Sequence, residues 1–280
     1  MSLAPNAART SGPVSRGIPL LTSQLVQRLE RLVAPEVTAV GAAPAPGQPL
    51  VAQFGRTIAA KARGGRPSNK VFCFNEADLP HLDAILAYYA ADGLEPTFYL
   101  SPVGFTPRVA AALAERGFLQ SEFVQALLYG VPSSELSSPR PGITIERVTT
   151  ENLDEYVRTF ADGFEWPPEW RDAAMDGMRS EFMPDQQRFL ARLDGEPAAV
   201  ATLRIREGVA SLGGGATVPR LRGKGCHLAL LRHRLDAAHM LGCTLVLGGA
   251  DFGSGSFRNQ LRSGLRLAYI ESGWRRRGVT

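Results

Sequence analysis

Arg220, Arg222 and Lys224 alternate with other residues around Gly223 and Gly225 in the stretch VPRLRGKGCH (218–227), between two apolar segments. Glycines without side chains let a backbone come close to a ligand. If a helix starts near Gly225, the amide N–H groups of its first turn stay unbonded and point at whatever sits there, with the positive end of the helix dipole behind them. Arg222 and Lys224 add full charges. These are the requirements of a diphosphate cradle; the plain alternative is a solvated basic turn. A phosphate loop of the GxxxxGK[ST] type fails, because Lys224 is followed by Gly225. A GxGxxG dinucleotide fingerprint fails too, since Leu228 stands at the third glycine position.

A reacting group that must shed a proton needs a base, and a carboxylate is the usual one. FEWPPEW (164–170) offers Glu165 first, with Glu169 and Glu181 next, each with the alternative of a solvated surface carboxylate. Trp166 and Trp170 offer a pocket wall or a Pro-Trp packing corner. His227, His233 and His239 fall six apart, so successive imidazoles turn by about 240° around a helix and share no face for a metal. Cys73, Cys226 and Cys243 are too widely spaced for a zinc knuckle or a disulfide framework, and read as reduced thiols. Cys226 opens the helix, where a thiol pKa can fall; a small packing residue is the simpler reading. A Ser-His-Asp or Cys-His system cannot be assembled from these spacings.

These residues need elements to hold them. The 280-residue chain is comfortable for two domains, and 44% apolar residues suffice for packed cores. No 18-residue apolar run predicts a membrane span. Residues 1–17 carry no apolar signal region and read as a disordered tail, which with the cysteines suggests a cytoplasmic protein. The net charge of +4 rests on arginine, with lysine only at 61, 70 and 224. Without a basic-aromatic run, it does not suggest nucleic acid. Two loops break the chain: GAAPAPGQP (41–49) and the Ser/Pro-rich GVPSSELSSPRPG (130–142). The second sets a boundary between a domain over residues 18–135 and one over residues 143–280.

In the second half ITIERV predicts a strand. A helix capped by Thr149 or Thr150 follows, and a second helix runs through Met178. QRFLARLDGEPAAVATLRI predicts a hairpin turning at Asp194-Gly195. VASLGGGATV is a strand, HLALLRHRLDAAHMLG a helix ending at Gly242 with Leu228, Leu231, Leu235 and Ala238 on one face, and CTLVLGG a buried strand. A short helix over GSFRNQLRSG and a last strand over LRLAYIESGWR close the chain. The order is mixed: antiparallel strands, then a strand-loop-helix-strand crossover, an α/β fold with a mixed (α+β) sheet. Leu100, Phe105 and Gly117 repeat as Leu247, Phe252 and Gly264, 147 residues on, and suggest duplication.

The pattern R-x-x-G-x-G from Arg220 to Gly225, with GATVPRL before it, HLALLRHRLDAA after it, LVLGG and SFRNQLRSGLRLAY, resembles the coenzyme-A pyrophosphate loop and closing region of the GNAT superfamily of N-acetyltransferases. The resemblance covers roughly residues 143–275. The first half looks like a degenerate copy, so the resemblance implies two tandem GNAT-like domains with catalysis in the second. It implies a strand at Ala216, Thr217 and Val218 that pairs with the pantetheine arm, bulges at Gly213 to Gly215, and splays from CTLVLGG. A backbone N–H there would polarise the thioester carbonyl. Arg220, Arg222, Gly223, Lys224, Gly225, Cys226 and His227 would hold the pyrophosphate, and Asn259 belongs to the same implied set.

Two departures stand out. His227 occupies a place where many members have Gly or Ala; it fits if its side chain points outward. Gln260 stands where many carry the tyrosine that protonates the leaving thiolate. Tyr269, in the following strand, is the catalytic alternative, against a plain core position; a thiolate of pKa near ~8.5 also leaves without an acid. The expected function is transfer of an acetyl group from acetyl-CoA to a small-molecule or peptide amine by direct transfer in a ternary complex, with no metal, nucleic acid or membrane involved. The competing reading is a non-catalytic acyl-CoA-binding or regulatory module. The sequence leaves the oligomeric state open, a homodimer included. In the first half, the 147-residue offset carries Gly223 back to Glu76, in a stretch where Asp78 reads as an N-cap and no glycine allows a cradle.

Overall fold

The computed structural model describes residues 17–34, 50–61, 69–133, 139–168, 171 and 186–278. Residues 1–16 of the expected tail, most of the second helix expected through Met178, and Glu169, Trp170 and Glu181 lie outside them. The elements in order are α1 (Ser23–Val33), β1 (Leu50–Phe54), β2 (Thr57–Lys61), β3 (Lys70–Phe72), a 3-10 turn (Glu76–His81), α2 (Leu82–Ala90), β4 (Thr97–Leu100), α3 (Pro107–Glu115) and β5 (Phe118–Gly130). Then come β6 (Ile143–Arg147), α4 (Leu153–Gly163), β7 (Gln186–Leu193), β8 (Glu196–Arg206), β9 (Val209–Thr217), α5 (Cys226–Met240), β10 (Leu245–Ala250), α6 (Gly255–Arg262) and β11 (Arg266–Arg276).

The strands form one mixed sheet in the order β1-β2-β3-β4-β11-β5-β10-β9-β8-β7-β6. Two strand pairs are parallel, β3 with β4 and β9 with β10. The 147-residue repeat is structural: β4, α3 and β5 recur as β10, α6 and β11 at that offset. Each half hands its last strand to the other. β11 pairs with β4, β5 pairs with β10, and β5 and β11 pair with each other along most of their length. A single sheet therefore runs across the boundary read from the Ser/Pro-rich loop.

Alternation along the strands sends side chains to two faces. Val246, Leu128 and Ala126 pack under α5 and α6, with Leu230, Leu231, Leu235 and Phe257. Leu245, Leu247, Leu127, Tyr129 and Tyr269 face the other way, under Val26, Leu29 and Leu32 of α1. On that second face α4 covers Val200 and Ala216 with Tyr156 and Val157. Leu228, expected on the buried stripe of α5, only packs at its margin, while Arg234 takes a fully buried place on that stripe.

Two caps differ from the sequence reading. The cap residue of α4 is Asn152, whose Oδ1 accepts from the Thr149 amide at 2.8 Å. The cap of the 3-10 turn is Asn75, whose Oδ1 accepts from the Ala77 amide at 2.9 Å. Asp78 is buried inside that turn instead, accepting from the Arg56 amide and the Thr57 hydroxyl. With a third hydrogen bond from Asn75 Nδ2, the carboxylate ties the β1–β2 turn to the 3-10 turn.

Candidate functional site

β9 and β10 are paired only from Leu245↔Val209 to Gly248↔Leu212. Beyond Leu212, β9 continues to Thr217 against β8 alone, so the two parallel strands open a wedge. The opening coincides with a bulge. Val200 pairs with Ala216 and Thr202 with Gly213, so two residues of β9, Gly214 and Gly215, oppose the single Ala201 of β8. Close packing requires small residues here: a side chain on Gly214 would start 3.2 Å from Phe160 of α4.

The bulge is held from below by Arg234. Its Nη1 donates to Thr202 O at 2.9 Å and to Gly213 O at 3.1 Å, and its Nε to Leu230 O at 3.1 Å. Burial pushes this guanidinium down to about 10, which still leaves it charged at neutral pH. Sequence reasoning missed it. The signal was there: an arginine between Leu231 and Leu235 on an otherwise apolar stripe needs buried acceptors.

At the end of β9 the chain turns through Pro219–Leu221 into the glycine loop. Gly223 and Gly225 have φ of +78° and +99°, a region closed to most residues with a side chain. The amides of Gly223, Lys224 and Gly225 donate to no acceptor among the described residues. Those of the first turn of α5 have no intrahelical partner. This is an amide cradle open to an anion.

The loop cations divide. Arg220 pairs with Glu196, and Arg222 Nη2 donates to Glu165 Oε2 at 2.7 Å and to Gly163 O at 3.1 Å, while its Nε reaches Thr217 O at 3.2 Å. Lys224 forms no ion pair among the described residues. A fourth cation comes from the expected linker: the side chain of Arg140 lies over Gly225, 3.5 Å from where a side chain there would begin. Cys226 is buried, and burial pushes its thiol up, opposite to the fall a helix start alone would cause.

His227 does not point outward. Its Nε2 faces Gly215 across the wedge, 3.6 Å from where a side chain would start, and Asn259 Nδ2 lies 3.2 Å from its Nδ1. Burial, reinforced by the Arg234 charge, lowers its pKa to about 4, so the ring is neutral. The turn at Gly225 directs the first helical side chains inward, and a neutral imidazole is tolerated there because Asn259 meets one ring nitrogen. Ala216 packs under α4, Thr217 offers its carbonyl to Arg222, and the Val218 amide returns to Ala198 O.

Glu165 sits just past α4 with φ +51°, its side chain 62% exposed and tied to Arg222. Beside it, Phe160, Phe164 and Trp166 form an aromatic group with ring centroids 4.6 and 5.2 Å from Phe160. Gln260 is buried against β10, its Nε2 donating to Gly249 O at 3.2 Å. Tyr269 lies on the opposite sheet face from α5 and α6, with its hydroxyl buried and without a partner among the described residues. Burial, with Glu271 next, holds its proton far more tightly than usual.

One further carboxylate was not read from the sequence. Glu271 of β11 is buried, and burial raises its pKa to about 7 against the hydrogen bond from Gln125 Nε2 at 3.0 Å. Gln125 also touches β10 where the wedge opens: its Oε1 is 2.6 Å from where a side chain on Gly249 would start. Glu271 was invisible in sequence because β11 reaches this place only through the strand exchange.

A parallel strand pair that parts at a bulge, next to a glycine-rich helix start with free amides, is the frame of an acyl-CoA N-acyltransferase fold. Solved structures share this overall fold, and the chain has the fold of the GNAT N-acetyltransferases in tandem form. A GCN5-related N-acetyltransferase from Kribbella flavida matches with 21% identity and a TM-score of 0.63 over 83% of this chain and 91% of its own. One from Sphaerobacter thermophilus matches with 14% identity and a TM-score of 0.57 over 80% and 82%. A tandem GNAT protein from the clavulanic acid biosynthesis pathway matches with 11% identity and a TM-score of 0.56 over 92% and 97%. At these identities the likeness is one of fold. The sequence matches no protein-family model and no curated protein. No helix among the described residues is long and apolar enough to cross a membrane.

Proposed function

We propose that the chain is an N-acetyltransferase that moves an acetyl group from acetyl-CoA to an amine by direct transfer within a ternary complex, in the cytoplasm. The observation that carries this reading is the wedge between β9 and β10, opening beside the free amides of the Gly223–Gly225 loop. The cradle suits a pyrophosphate: the glycines leave its backbone bare, and Lys224 and Arg140 supply charge at its rim. The unpaired edge of β9 past Leu212 suits the amide groups of a pantetheine arm, and a strand N–H there would polarise the thioester carbonyl.

The amine nitrogen attacks that carbonyl carbon, the C–S bond breaks, and the amine proton passes to a carboxylate. Glu271 has the proton affinity that a base near neutral pH requires, and Gln125 links it to the mouth of the wedge. Glu165, held by Arg222, serves in this reading to fix the aromatic rim beside the acceptor. The departing thiolate takes its proton from water, since Gln260 carries no acidic proton.

The non-catalytic alternative has two observations in its favour: Gln260 at the place of a proton donor, and the His227 ring beside the wedge. Incubation of the chain with acetyl-CoA and a panel of small and peptidyl amines, following thiol release and acetylated product, tests the proposal. Tight coenzyme-A binding with no product from any amine would leave the binding-module reading standing.

A further inference from the structure

A pocket of about 290 Å³ opens in the first half, away from the glycine loop. Its walls come from four places: α1 with Glu30 and Arg31, the β1–β2 turn with Arg56, the segment after β3 with Cys73 and Asn75, and the loop after β4 with Gly104. The volume is at the lower limit of small-molecule sites, which run to roughly 300–1,000 Å³. It suits a ligand of few heavy atoms.

The walls are built rather than accidental. Cys73 has φ +59°, a strained conformation for a residue with a side chain, and such strain persists only where surrounding structure enforces it. Asn75 enforces it here: its Nδ2 donates to Cys73 O at 3.2 Å and to Asp78 Oδ2 at 2.9 Å, while its Oδ1 caps the turn that follows. Gly104 lets the loop after β4 pack against the segment after β3, since a side chain there would start 2.5 Å from Phe74 O.

The charges are mixed and incompletely used. The Arg56 amide is fixed by Asp78 Oδ1 at 3.0 Å, but its guanidinium makes only a long 3.4 Å contact to Gln27. Arg31 forms no ion pair among the described residues. Glu30 is the neighbour of Arg31 on α1, and burial raises its pKa despite a hydrogen bond from Ser101 and the Arg56 charge. A half-buried carboxylate is stabilised by an incoming cation, and two guanidinium groups with spare donors are stabilised by an incoming carboxylate. Gln27 and Gln53 add neutral amide groups at the wall.

We propose that this pocket binds a small polar α-amino acid, its carboxylate held by Arg31 and Arg56 and its ammonium by Glu30. The proposal does not rest on the acetyl-transfer reading, although the Glu30 carboxylate lies close enough to Glu271 to help hold its proton. The Cys73 thiol, pushed up to about 12 by burial, lines the pocket as an unreactive wall.

The test is calorimetric titration of the full chain at pH 7 with three matched probes. These are L-glutamine, 4-aminobutanamide, which lacks the carboxylate, and glutaramate, which lacks the amine. L-Glutamine is expected to bind one per chain with a Kd between micromolar and millimolar, and each truncated probe at least about tenfold more weakly, the scale of one lost charge-assisted contact. Arg31→Gln and Arg56→Gln are expected to weaken L-glutamine by the same factor with unchanged melting temperature, since both side chains are exposed. Glu30→Gln is expected to weaken L-glutamine but leave glutaramate unaffected. No heat from L-glutamine or any other polar amino acid at 10 mM overturns the proposal. So does equal affinity for the three probes, or unaltered L-glutamine binding in both arginine variants.

Discussion

Arg222 and Glu165 form an ion pair at 2.7 Å that joins the glycine loop to the end of α4, and the same guanidinium also reaches Gly163 O and Thr217 O. The carboxylate is therefore part of a clamp over the end of β9. Glu165→Gln retains an oxygen for Arg222 and is expected to lower kcat by less than about tenfold. Glu271→Gln removes the proposed base and is expected to lower kcat by roughly 10² or more, with acetyl-CoA affinity unchanged. Single-turnover measurements on both variants decide the assignment; a loss of 10² in Glu165→Gln alone gives the role of base to Glu165.

Activity should rise with pH through about 7, where Glu271 loses its proton and becomes able to accept one from the amine. In Glu271→Gln that limb of the kcat/KM profile should disappear. A limb that persists unchanged in the variant would assign it to another group, such as the acceptor amine itself.

Gly225→Val places a branched side chain at φ +99° and beside Arg140. The loop must then move, and the amides lose their aim. Coenzyme-A affinity should fall by about 30-fold or more, near ~2 kcal/mol, the scale of two charge-assisted hydrogen bonds. The backbone strain adds a stability loss of order 1–3 kcal/mol, which thermal melting will record alongside. Unchanged affinity would remove the cradle from the proposed site.

How far the sequence carried can be judged at particular residues. The repeat of Leu100, Phe105 and Gly117 led to three matching elements in each half, because local propensity and turn chemistry are written in the chain. The bulge at Gly213 to Gly215 was legible for the same reason. The exchange of β5 and β11 was not, since strand period says which face a residue occupies but not which strand lies beside it. Everything that depends on the exchange, Glu271 beside Gln125 above all, was therefore hidden. Arg140 was hidden by its setting in a Ser/Pro-rich stretch, and the inward turn of His227 by the unusual φ of the residue two before it.

Arg234 is a fully buried cation whose fork serves two carbonyls at the bulge, Thr202 O and Gly213 O, and Leu230 O of its own helix. Arg234→Met leaves Thr202 O and Gly213 O without that donor and is expected to cost about 3 kcal/mol, within the range for removing a buried polar partner. Arg234→Lys should recover only part of this, because an ammonium cannot reproduce the fork. Denaturant unfolding of the two variants measures the difference. Full rescue by lysine would show that charge alone, and not geometry, is required.

His227 binds a proton less readily folded than unfolded, with its pKa lowered from 6.5 to about 4. Above 6.5 both states are neutral at this residue and its burial carries no protonation cost. As pH falls from 6.5 toward 4 the unfolded state takes up a proton that the folded state refuses, so stability is lost across that window, by up to about 3 kcal/mol. Glu271 works in the opposite sense: its raised pKa favours the folded state most below its usual range, and that benefit fades as pH rises toward 7. Comparing His227→Asn with the parent isolates the first effect. The variant should show a shallower loss of melting temperature between pH 6.5 and 4, and identical slopes would mean that the ring is solvated when folded.

The chain should bind one coenzyme A, despite its two similar halves. The first-half counterpart of Gly223 is Glu76, which is committed to Arg108 Nη1 at 2.7 Å and the Thr106 hydroxyl at 2.9 Å. Asp78 is buried close by, and the segment begins as a 3-10 turn with no glycine that would bare its amides. A carboxylate about 4 Å from a phosphate charge costs roughly 1–4 kcal/mol depending on the local dielectric, before the missing amides are counted. The full chain is the right material, because β4 has β11 as its neighbour and an isolated first half would lose it. Calorimetric titration should give a stoichiometry near ~1, and Gly225→Val should weaken that single event as a whole and leave no second, unaffected one. A stoichiometry near two, with one event surviving in the variant, would establish a second cradle in the first half.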